Sequence, residues 1–515
     1  MADHPTPLDL PRSPRRGSQW TIDIDELDRR GRGVGRLEAL VGPQNEHKRF
    51  RFRVRKAIPG DRVRVVVEKR RGERVDAHID DLVSPSPIRK KPRCRHFGLR
   101  ERQGEGCGGC TFQSLSYRHQ LACKEKMVKR AVSNHGLDPG KVLPVIECEP
   151  PWHYRNDMEF TFGESGKGEY ALGMFPRGYH YELVNIEECF LQSPFVSEFV
   201  PAFRRWAQSY GVEPYINESD TGFARLLRIR EGKRTGERMV EFVTTDDSEA
   251  SFHEGRCSAR DIAEAAVEFV RGFADEFGKG DQDKPVSSIY WTRKHVQAGN
   301  PTTWNEECLW GTAELTERLH LPGGKRLEFG IHPRAFFQTN SLQSEVLYST
   351  VLKAARLHPE QTSATRPSTI MDLYCGTGTI SLCLAPYAES VIGVERQPDA
   401  VTNARRNAQR NSLDNVTFVE GDVGHVLEED GELAGVEAEL TIVDPPRGGL
   451  QEHAIEQLSA LAPSQLVYVS CNPDTLAENI AELNDRVGYR VGKVQPIDMF
   501  PQTEHIECVA RLTRI

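Results

Sequence analysis

The stretch STIMDLYCGTGTISLCLAPYAESVIGVE, residues 368–395, decides the fold of the C-terminal part of the chain. The run STIMDLY predicts a strand, TISLCLAPYA a helix and SVIGVE a second strand. A helix from Asn340 to about Leu357 precedes this stretch, and strands and helices go on alternating after it, out to PDTLAENIAEL. Such alternation predicts a doubly wound parallel sheet. Ligands of these sheets bind beyond the carboxyl ends of the strands, so the residues that follow each strand are the first to consider.

The loop after the first of these strands carries Gly376 and Gly378 in a D-x-x-x-G-x-G pattern that begins at Asp372. A bare backbone there permits close approach of a nucleotide-like ligand, and this form of the motif is typical of S-adenosylmethionine-dependent methyltransferases. Glu395 follows Asp372 by 23 residues, where a carboxylate can accept both ribose hydroxyls. A nicotinamide dinucleotide enzyme is the alternative, but the third glycine of its motif is missing. Asp422, after the next strand, is predicted to lie near the adenine.

Two further strand ends carry groups suited to methyl transfer. IVDPPRGG places Asp444 at one of them, and QLVYVSCNP places Cys471 at the next. The DPP turn alone leaves the reaction open, because similar turns serve enzymes that methylate exocyclic amines. A pyrimidine C5 carbon is too weak a nucleophile to take a methyl group directly, whereas addition of a thiolate to C6 creates an enolate that attacks through C5. Cys471 is therefore the predicted nucleophile, and Glu507 in TEHIECVARL is the predicted base for the C5 proton.

A cysteine-rich segment, CRHFGLRERQGEGCGGC, follows the proline-rich linker 84–92. It contains Cys94, Cys107 and Cys110, and Cys189 lies further along in NIEECFLQ. The two thiolates of a C-x-x-C pair can converge on one metal centre, and four thiolates suit either a [4Fe–4S] cluster or tetrahedral zinc. Spacing does not separate iron from zinc. Twelve cysteines in 515 residues are too few for a disulfide scaffold, which favours metal ligands or catalysts where cysteines cluster.

The chain is basic at its N-terminal end and acidic elsewhere. Its net charge is −8, but residues 1–100 carry 25 Lys and Arg against 14 Asp and Glu, which leaves −19 for the rest. The alternating runs RFRVRK and RVRVVVEK predict a small β-barrel between Trp20 and Val83. Its outward face is predicted to carry Arg51, Arg53, Arg55, Arg62 and Arg64. A cationic barrel suits a polyanion such as RNA, and a solvated cationic face is the alternative.

Between the linker and about residue 325, the runs of residues predict an antiparallel sheet, preceded by a helix at Gln120–His135. Aromatic and basic side chains of this region could stack on and clamp RNA bases, although aromatic residues in a strand-rich region are more often core. These side chains are Tyr154, Arg155, Phe175, Arg177, Tyr179 and His180. The sequence has no window of eighteen apolar residues and no apolar signal segment, which predicts a soluble cytoplasmic protein without a membrane partner.

The motifs DLYCGTGT, DPPRGG, VSCNP and HIE, preceded by FFQTN, together resemble the RNA (uracil-5-)-methyltransferase family. DRRGRGVGR followed by IPGDRV resembles the TRAM domain of RNA-modifying enzymes. The resemblance implies a TRAM-like, OB-like β-barrel over 14–84, a central α+β domain with a four-cysteine cluster over 85–325, and a Rossmann-like class I methyltransferase domain over 326–515. It implies RNA as the partner, and we expect the enzyme to be a monomer.

The same resemblance implies roles for individual residues. It makes Cys471 the nucleophile and Glu507 the proton acceptor, and it implies a [4Fe–4S] cluster on Cys94, Cys107, Cys110 and Cys189. Contacts with S-adenosylmethionine are implied or predicted for Gln338, Tyr374, Gly376, Gly378, Thr379, Glu395, Asp422 and Asp444. Thr379 stands where many relatives carry asparagine, and its hydroxyl can take a similar hydrogen bond. Asp444 is also expected to help hold a uracil that has swung out of its stack.

The substrate is the least defined part of the prediction. Family members with both a TRAM domain and a cluster mostly modify 23S rRNA, whereas some cluster-bearing archaeal relatives act on tRNA. The resemblance therefore favours 23S rRNA, with tRNA as the alternative. Two other functions are alternatives. Cytosine-5 methylation uses the same thiolate addition, and the resemblance decides for uracil. A non-catalytic RNA-binding protein could carry the cluster as a redox sensor, but the presence of both Cys471 and Glu507 argues against it.

Overall fold

The computed structural model describes residues 13–41, 46–98, 106–179, 181–217, 219–245, 251–252, 257–278, 286–296, 299, 301–359 and 367–514. The chain divides into two compact units. The first unit comprises the chain up to Cys123 together with Gly163–Glu188 and Pro501–Glu504. The second comprises Lys124–Phe162, Cys189–Phe500 and His505–Ile515. The three predicted domain boundaries stay predictions.

Six strands build the barrel of the first unit: β1 (Gln19–Asp23), β2 (Glu26–Leu27), β3 (Gly33–Val41), β4 (Glu46–Val54), β5 (Arg62–Arg71) and β6 (Arg74–Ser84). Their hydrogen-bonded order is β1-β5-β6-β4-β3-β2. β1 and β2 follow one another along the chain but pair with opposite edges, β5 and β3, so the sheet closes on itself. The predicted alternation is confirmed, because Phe50, Phe52 and Val54 of β4 point into the barrel core.

In its described residues, the middle of the chain contains the following helices and strands. They are α1 (Tyr117–Asn134), β7 (Asp157–Glu164), β8 (Tyr170–Met174), β9 (Val184–Asn185), α2 (Pro194–Ser209), β10 (Ala224–Glu231), β11 (Arg238–Thr245), β12 (Ser251–Phe252), β13 (Cys257–Ser258), α3 (Ala259–Gly278), β14 (Val286–His295), β15 (Thr303–Gly311), β16 (Leu315–His320) and β17 (Arg326–Ile331). β8 pairs with β9 in the first unit, and β16 with β17 in the second.

The larger sheet of the second unit's middle part runs β15-β14-β11-β10-β7. The antiparallel prediction is correct for β7–β10, β10–β11 and β14–β15, but β11 and β14 are parallel. The reason is helix α3, which lies between these two strands in sequence and lets the chain return in the same direction before it pairs.

The C-terminal part contains the predicted alternation: α4 (Ser341–Ala354), β18 (Thr369–Leu373), α5 (Thr379–Leu384), β19 (Ser390–Glu395), α6 (Pro398–Arg410), β20 (Val416–Glu420), α7 (Val423–Val426), β21 (Leu440–Val443), α8 (Glu452–Leu461), β22 (Gln465–Ser470), α9 (Pro473–Val487), β23 (Tyr489–Ile497) and β24 (Glu507–Arg514). The sheet order is β20-β19-β18-β21-β22-β24-β23. The strands from β20 to β22 are parallel, and β24 runs antiparallel between β22 and β23. This is the predicted Rossmann-like class I methyltransferase fold.

Both faces of this sheet are buried. Along β22, Val467 and Val469 belong to one apolar cluster, and Leu466 and Tyr468 belong to another. Successive side chains of a strand point to opposite faces, so each cluster covers one face of the sheet. The sheet therefore lies between two apolar layers, and its edges and strand ends are the parts available for a binding or catalytic site. Within the residues described above, no helix is long and apolar enough to span a membrane.

Candidate active site

The carboxyl edge of the C-terminal sheet gathers the predicted site residues. Tyr374 follows β18, Glu395 ends β19, Asp422 follows β20, Asp444 follows β21 and Cys471 follows β22. These five strands are parallel, so their ends meet at one edge. β24 runs in the opposite direction, and its first residue, Glu507, lies at that same edge. The topology thus brings residues from six strands to one side of the sheet.

The strand register brings the two predicted catalytic residues to neighbouring positions. In the antiparallel pair of β22 and β24, Ser470 pairs with Cys508. Cys471 is the residue after Ser470 and Glu507 is the residue before Cys508, so both lie one step beyond this last pair. Directly opposed residues of antiparallel strands have Cα atoms about 5 Å apart. The thiol and the carboxyl therefore start from neighbouring backbone positions.

Burial and mutual charge perturb three groups at this edge. Burial, and then the charge of Asp444, hold the pKa of the Glu507 carboxyl well above its usual range. Burial raises the pKa of Asp444 to about 7. Burial, followed by the charges of Glu507 and Asp444, raises the pKa of the Cys471 thiol to about 11, while Arg447 acts in the opposite direction. Because the charges of Asp444 and Glu507 raise the pKa values of their neighbours, the three groups lie close together. Each of the three pKa values is higher than in water, so each group keeps its proton up to a higher pH.

The turn that carries Cys471 is held on both sides. Asn472 caps α9, where its Oδ1 accepts a hydrogen bond from the Asp474 amide at 3.2 Å. Its Nδ2 donates to the carbonyl of Arg447 at 3.0 Å, which joins the cysteine turn to the DPPR turn. The Asn472 amide donates to Ser470 Oγ at 3.1 Å. The thiol is therefore presented from a fixed turn.

The raised pKa of Cys471 makes a testable prediction for the protein without RNA. Thiolates react with iodoacetamide and thiols do not, so alkylation of Cys471 should rise about tenfold per pH unit up to about pH 10. The sign follows from a pKa raised from 9.0 to about 11, which lowers the thiolate fraction at any pH below that value. Peptide mapping by mass spectrometry after timed alkylation gives the rate, and a plateau already at about pH 8 would contradict the raised pKa.

The glycine loop and Glu395 form one unit. Glu395 Oε2 accepts from the Gly376 amide at 3.1 Å, and Oε1 accepts from the Gln397 amide at 2.9 Å. Gly376 has φ 56°, and a Cβ there would face open space, so this backbone is the exposed side of the loop. A Cβ at Gly378 would instead meet the Phe418 ring at 2.7 Å. Gly376 therefore leaves room for a ligand, and Gly378 allows the close packing of the loop.

The remaining predicted contacts surround this loop. Burial, and then the charges of Asp422 and Glu395, raise the pKa of Tyr374 to about 12, which places its phenol near both carboxylates. Asp422 caps α7 and accepts from the Gly424 amide at 3.0 Å. Thr379 begins α5 and is buried. Bare backbone, an aromatic ring and carboxylates at neighbouring strand ends fit the donors and acceptors of an adenosyl group.

Asp372, the first residue of the motif, lies beneath the loop. It is fully buried, and Ser381 Oγ donates to its Oδ2 at 2.5 Å. Burial raises its pKa to about 7. Within the described ranges, its Oδ1 has no hydrogen-bond partner. The motif therefore keeps one acceptor atom available beside the glycine loop, which fits a ligand with a donor group.

Asn156 is a site residue that the sequence reasoning missed. Its Nδ2 donates to the Gln338 carbonyl and to Ser341 Oγ, both at 2.8 Å, and its amide donates to the Thr339 carbonyl at 2.8 Å. Three hydrogen bonds from one buried residue thus fix the FFQTN segment, which carries Gln338. No local sequence pattern indicates that Asn156 positions Gln338, because Asn156 precedes Gln338 by 182 residues. Only the fold brings the two together.

Replacing Asn156 tests this positioning. Asn156→Asp keeps the size of the side chain but removes both Nδ2 donors, so the affinity for S-adenosylmethionine should fall about tenfold, or about 1.4 kcal/mol. Asn415→Asp is the matched control, because Asn415 Nδ2 donates to the Ala385 and Ala388 carbonyls ahead of β20, at the opposite edge of the sheet. Isothermal titration of both variants gives the affinities, and an equal loss in the two would refute a specific role.

Three of the four predicted cluster ligands lie in the first unit, and Cys189 lies in the second. All four cysteines are partly exposed. The Gly109 amide donates to Cys107 Sγ at 3.3 Å, as amides do to metal-bound sulfurs. A Cβ at Gly108 would lie 2.7 Å from the Phe175 carbonyl, so the tight C-G-G-C turn requires glycine there. The C-G-G-C turn and the thiols of Cys107 and Cys110 fit a thiolate-ligated metal group.

The barrel carries a cationic cleft that the sequence predicted only in part. The cleft has a volume of about 670 Å³, and eight basic but only two acidic side chains line it. The basic ones are Arg16, Arg30, Arg32, Arg53, Arg55, Lys56, Lys69 and Arg177. Tyr179 also lines it. Of the predicted outward arginines, Arg62 and Arg64 instead pair with Asp23, Asp80 and Asp81 outside the cleft, and Arg51 approaches Glu26.

The predicted base-stacking side chains divide into two groups. Tyr154 is 3% exposed and belongs to the interior, as the core alternative held. Arg177 and Tyr179 line the cationic cleft, where Arg55 lies over the Tyr179 ring at 5.3 Å from its centroid. His180 lies outside the described residues.

Comparison with known proteins gives consistent matches over nearly the whole chain. Residues 311–515 match the family model described as tRNA (uracil-5-)-methyltransferase. An RNA methyltransferase of Protochlamydia amoebophila is 35% identical over 460 residues, which cover 88% of this chain and 98% of the relative. An RNA methyltransferase of Caldanaerobacter subterraneus subsp. tengcongensis is 32% identical over 499 residues, covering 97% and 99%.

One solved structure resembles the chain from end to end. It is the tRNA (uracil-54, C5)-methyltransferase of Pyrococcus abyssi in complex with S-adenosyl-L-homocysteine. The TM-score is 0.68 and the sequence identity 27%, and the match covers 96% of this chain and 99% of the other. The similarity therefore includes the N-terminal and central parts as well as the C-terminal sheet.

Proposed function

This chain belongs to the RNA (uracil-5-)-methyltransferase family of S-adenosylmethionine-dependent enzymes, and from that premise we propose that Cys471 and Glu507 carry its chemistry. The observation that supports this most strongly is the register of β22 and β24, whose last pair, Ser470 with Cys508, directly adjoins both residues. Both lie at the sheet edge that also carries Glu395 and the glycine loop. A nucleophile, a base and a cofactor cradle therefore converge at one edge.

Cys471 begins the reaction at a uridine in RNA. Its thiolate sulfur forms a bond to C6, and the electron pair of the C5–C6 double bond moves to C5 and into the adjacent carbonyl. Bound S-adenosylmethionine supplies the methyl group as an electrophile on a sulfonium sulfur. C5 then bonds the methyl carbon, and the electron pair of the broken carbon–sulfur bond stays on sulfur. Burial raises the pKa of the thiol, so the thiol must lose its proton before the sulfur can bond to C6.

Glu507 completes the reaction. C5 now carries both a hydrogen and the methyl group, and the Glu507 carboxylate takes the hydrogen as a proton. The electron pair left behind restores the C5–C6 double bond, and the bond from C6 to Cys471 breaks with return of the pair to sulfur. A carboxyl with a raised pKa is a stronger base once ionised, which suits removal of a carbon-bound proton.

Glu395, Tyr374 and the Gly376 backbone are proposed to hold the adenosyl group, and Asp422 to lie beside the adenine. Glu395 is already oriented by two backbone amides, so its carboxylate needs no reorganisation to accept the ribose hydroxyls. Gln338 approaches from the FFQTN segment that Asn156 fixes. Asp444 stands between the cofactor side and Cys471 in the sheet order, where it can contact the methyl donor, the uracil or both.

The substrate proposal keeps 23S rRNA, as the combination of a TRAM-like barrel and clustered cysteines implies. A second candidate is tRNA, and a specific observation favours it: the end-to-end similarity to the Pyrococcus abyssi enzyme that acts on tRNA uracil-54. Incubation of the protein with S-adenosylmethionine and each transcript, followed by mass-spectrometric mapping of 5-methyluridine, separates the two. Methyl groups on cytidine instead of uridine would refute the uridine assignment.

The cationic cleft of the barrel is proposed to bind the RNA backbone. Its eight basic and two acidic side chains give an excess positive charge on a chain with net charge −8, and phosphates release counterions on binding. Replacing exposed Arg16 and Arg30 with glutamine should weaken RNA binding about tenfold and flatten its salt dependence. The catalytic rate at saturating RNA should stay unchanged. Fluorescence anisotropy at several salt concentrations measures the effect, and an unchanged salt slope would remove the cleft from the interface.

We also propose that Cys94, Cys107, Cys110 and Cys189 hold a [4Fe–4S] cluster. Such a cluster absorbs broadly near about 400 nm and makes the protein brown. Protein purified without oxygen should show this band together with four iron atoms per chain, within about 10%. A colourless protein with stoichiometric zinc would contradict the cluster and support the zinc alternative that the cysteine spacing leaves open.

A further inference from the structure

A cluster of metal-ligand side chains lies outside the methyl-transfer machinery. His425 is in α7, Glu428 follows α7, and His453 is in the first turn of α8. One ligand atom from each of the three residues lies within 4.8 Å of the others. His453 Nε2 is 2.8 Å from Glu428 Oε1, and His425 Nδ1 is 3.5 Å from Glu428 Oε2. Glu428 thus directs one carboxylate oxygen toward each imidazole.

The contact between His453 and Glu428 is not an ordinary hydrogen bond. Nε2 of His453 is shielded from solvent and, in the described part of the chain, has no hydrogen-bond partner despite the Glu428 oxygen at 2.8 Å. A buried nitrogen without a hydrogen bond needs another partner, and a metal ion accepts a lone pair without the direction that a hydrogen bond requires.

The surroundings fix the His453 ring in a ligating orientation. Its Nδ1 lies 3.5 Å from Glu456 Oε2, one turn along α8, which favours the proton on Nδ1 and the lone pair on Nε2. The ring also packs on the backbone of α7, because a Cβ at Gly424 would lie 2.2 Å from His453 Cδ2. In metal sites, a ligating histidine commonly donates its second ring nitrogen to a carboxylate, and this contact orients the ring.

We propose that His425, Glu428 and His453 form a zinc site that joins α7 to α8. Two imidazole nitrogens and a carboxylate suit this borderline cation, and water can complete a tetrahedron. Ligand atoms of a tetrahedral zinc site lie about 3.3 Å apart, so small side-chain rotations bring the three atoms into range. The ion would fix the end of α7, the one-turn helix that Asp422 caps. The site is separate from the four predicted cluster cysteines and does not depend on the proposed reaction.

Zinc titration of the full-length protein, followed by calorimetry and metal analysis after dialysis, tests this proposal. The wild type should bind one more equivalent of zinc than the His425→Asn/His453→Gln double variant. Both proteins keep every cysteine, so zinc bound by thiols is the same in both. Glu456→Gln keeps all three ligands and should weaken the extra site about 10-fold to 100-fold. His135→Gln, a change outside the cluster, should bind as the wild type does.

A thermal readout shows whether zinc joins the two helices. Zinc should raise the midpoint of thermal unfolding of the wild type and of His135→Gln more than that of the double variant, because a ligand of the folded state stabilises it. Equal zinc stoichiometry and affinity in the wild type and the double variant would overturn the proposal. That result would leave the three side chains as a surface ion pair.

Discussion

Cys471→Ala should lower RNA methylation by at least about 1,000-fold, because no other group can form the bond to C6 that activates C5. The affinity for S-adenosylmethionine should stay within about twofold of the wild type, since the thiol acts on the base and the adenosyl cradle lies at other strand ends. Filter binding with labelled S-adenosylmethionine and a methyl-transfer assay on the same preparation measure both quantities. Methylation at the wild-type rate in this variant would overturn the mechanism.

Cys508→Ala is the matched control for this loss. Cys508 is also a buried thiol at the β22–β24 pair, but it neighbours Glu507 on the opposite face of the strand, within the apolar cluster that contains Ala510 and Leu512. Its replacement should cost about 1 kcal/mol of stability through a small cavity and leave the methylation rate within about threefold. A loss as large as that of Cys471→Ala would mean that the damage is structural in both variants.

Glu507→Gln should stop the reaction one step later. Cys471 can still add and the methyl group can still transfer, but the amide cannot accept the C5 proton, so turnover should fall about 100-fold to 10,000-fold. Methylated RNA should remain joined to the protein through Cys471. Denaturing electrophoresis of the variant with labelled RNA detects this adduct as a band that requires S-adenosylmethionine.

Two further variants make the test of Glu507 specific. Glu507→Gln/Cys471→Ala should form no adduct, which assigns the bond to Cys471. Glu420→Gln, at the exposed end of β20, changes a glutamate at the same edge of the sheet and should behave as the wild type. Free product at a normal rate from Glu507→Gln, without adduct, would show that another group removes the proton.

The C-terminal sheet could be predicted closely because its signals are local. Runs such as TIMDLY and QLVYVS are apolar, short and followed by glycine, proline or asparagine, which marks both the strand and its end. Helix boundaries depend on similar local chemistry: Pro386 ends α5 at Leu384, earlier than the TISLCLAPYA run suggests, because proline cannot donate the next helical hydrogen bond. The one-turn helix α7 was missed because four residues carry no periodicity.

Features that depend on distant pairing could not be predicted in this way. β23 and the β16–β17 hairpin have mixed polar and apolar residues, and their pairing partners decide their conformation. The parallel pairing of β11 with β14 depends on the path of α3 through space. The arginines of the barrel were correctly placed outside its core, but the ion pairs of Arg53 with Asp76 and of Arg55 with Glu68 depend on how the chain folds and could not be predicted.

The predicted site residues show the same difference between local sequence signals and distant contacts. Glu395, Asp444 and Cys471 could be found because parallel strands place their ends at one edge, so position in sequence gives position in space. Asn156 could not be found, since it contacts Gln338 across 182 residues of sequence and neither residue lies in a helix or strand. The strongly raised pKa of Glu507 also follows only from the fold, because burial and the nearby Asp444 cause it.

Trapping with 5-fluorouridine tests the central claim most directly. In RNA with 5-fluorouridine at the target position, Cys471 can add and C5 can take the methyl group, but C5 then carries fluorine in place of the proton that Glu507 removes. The account predicts a stable complex that requires S-adenosylmethionine, and a proteolytic peptide in which Cys471 carries the methylated fluoronucleotide. A mass spectrum with the nucleotide on another residue, or methylation without any covalent complex, would contradict it.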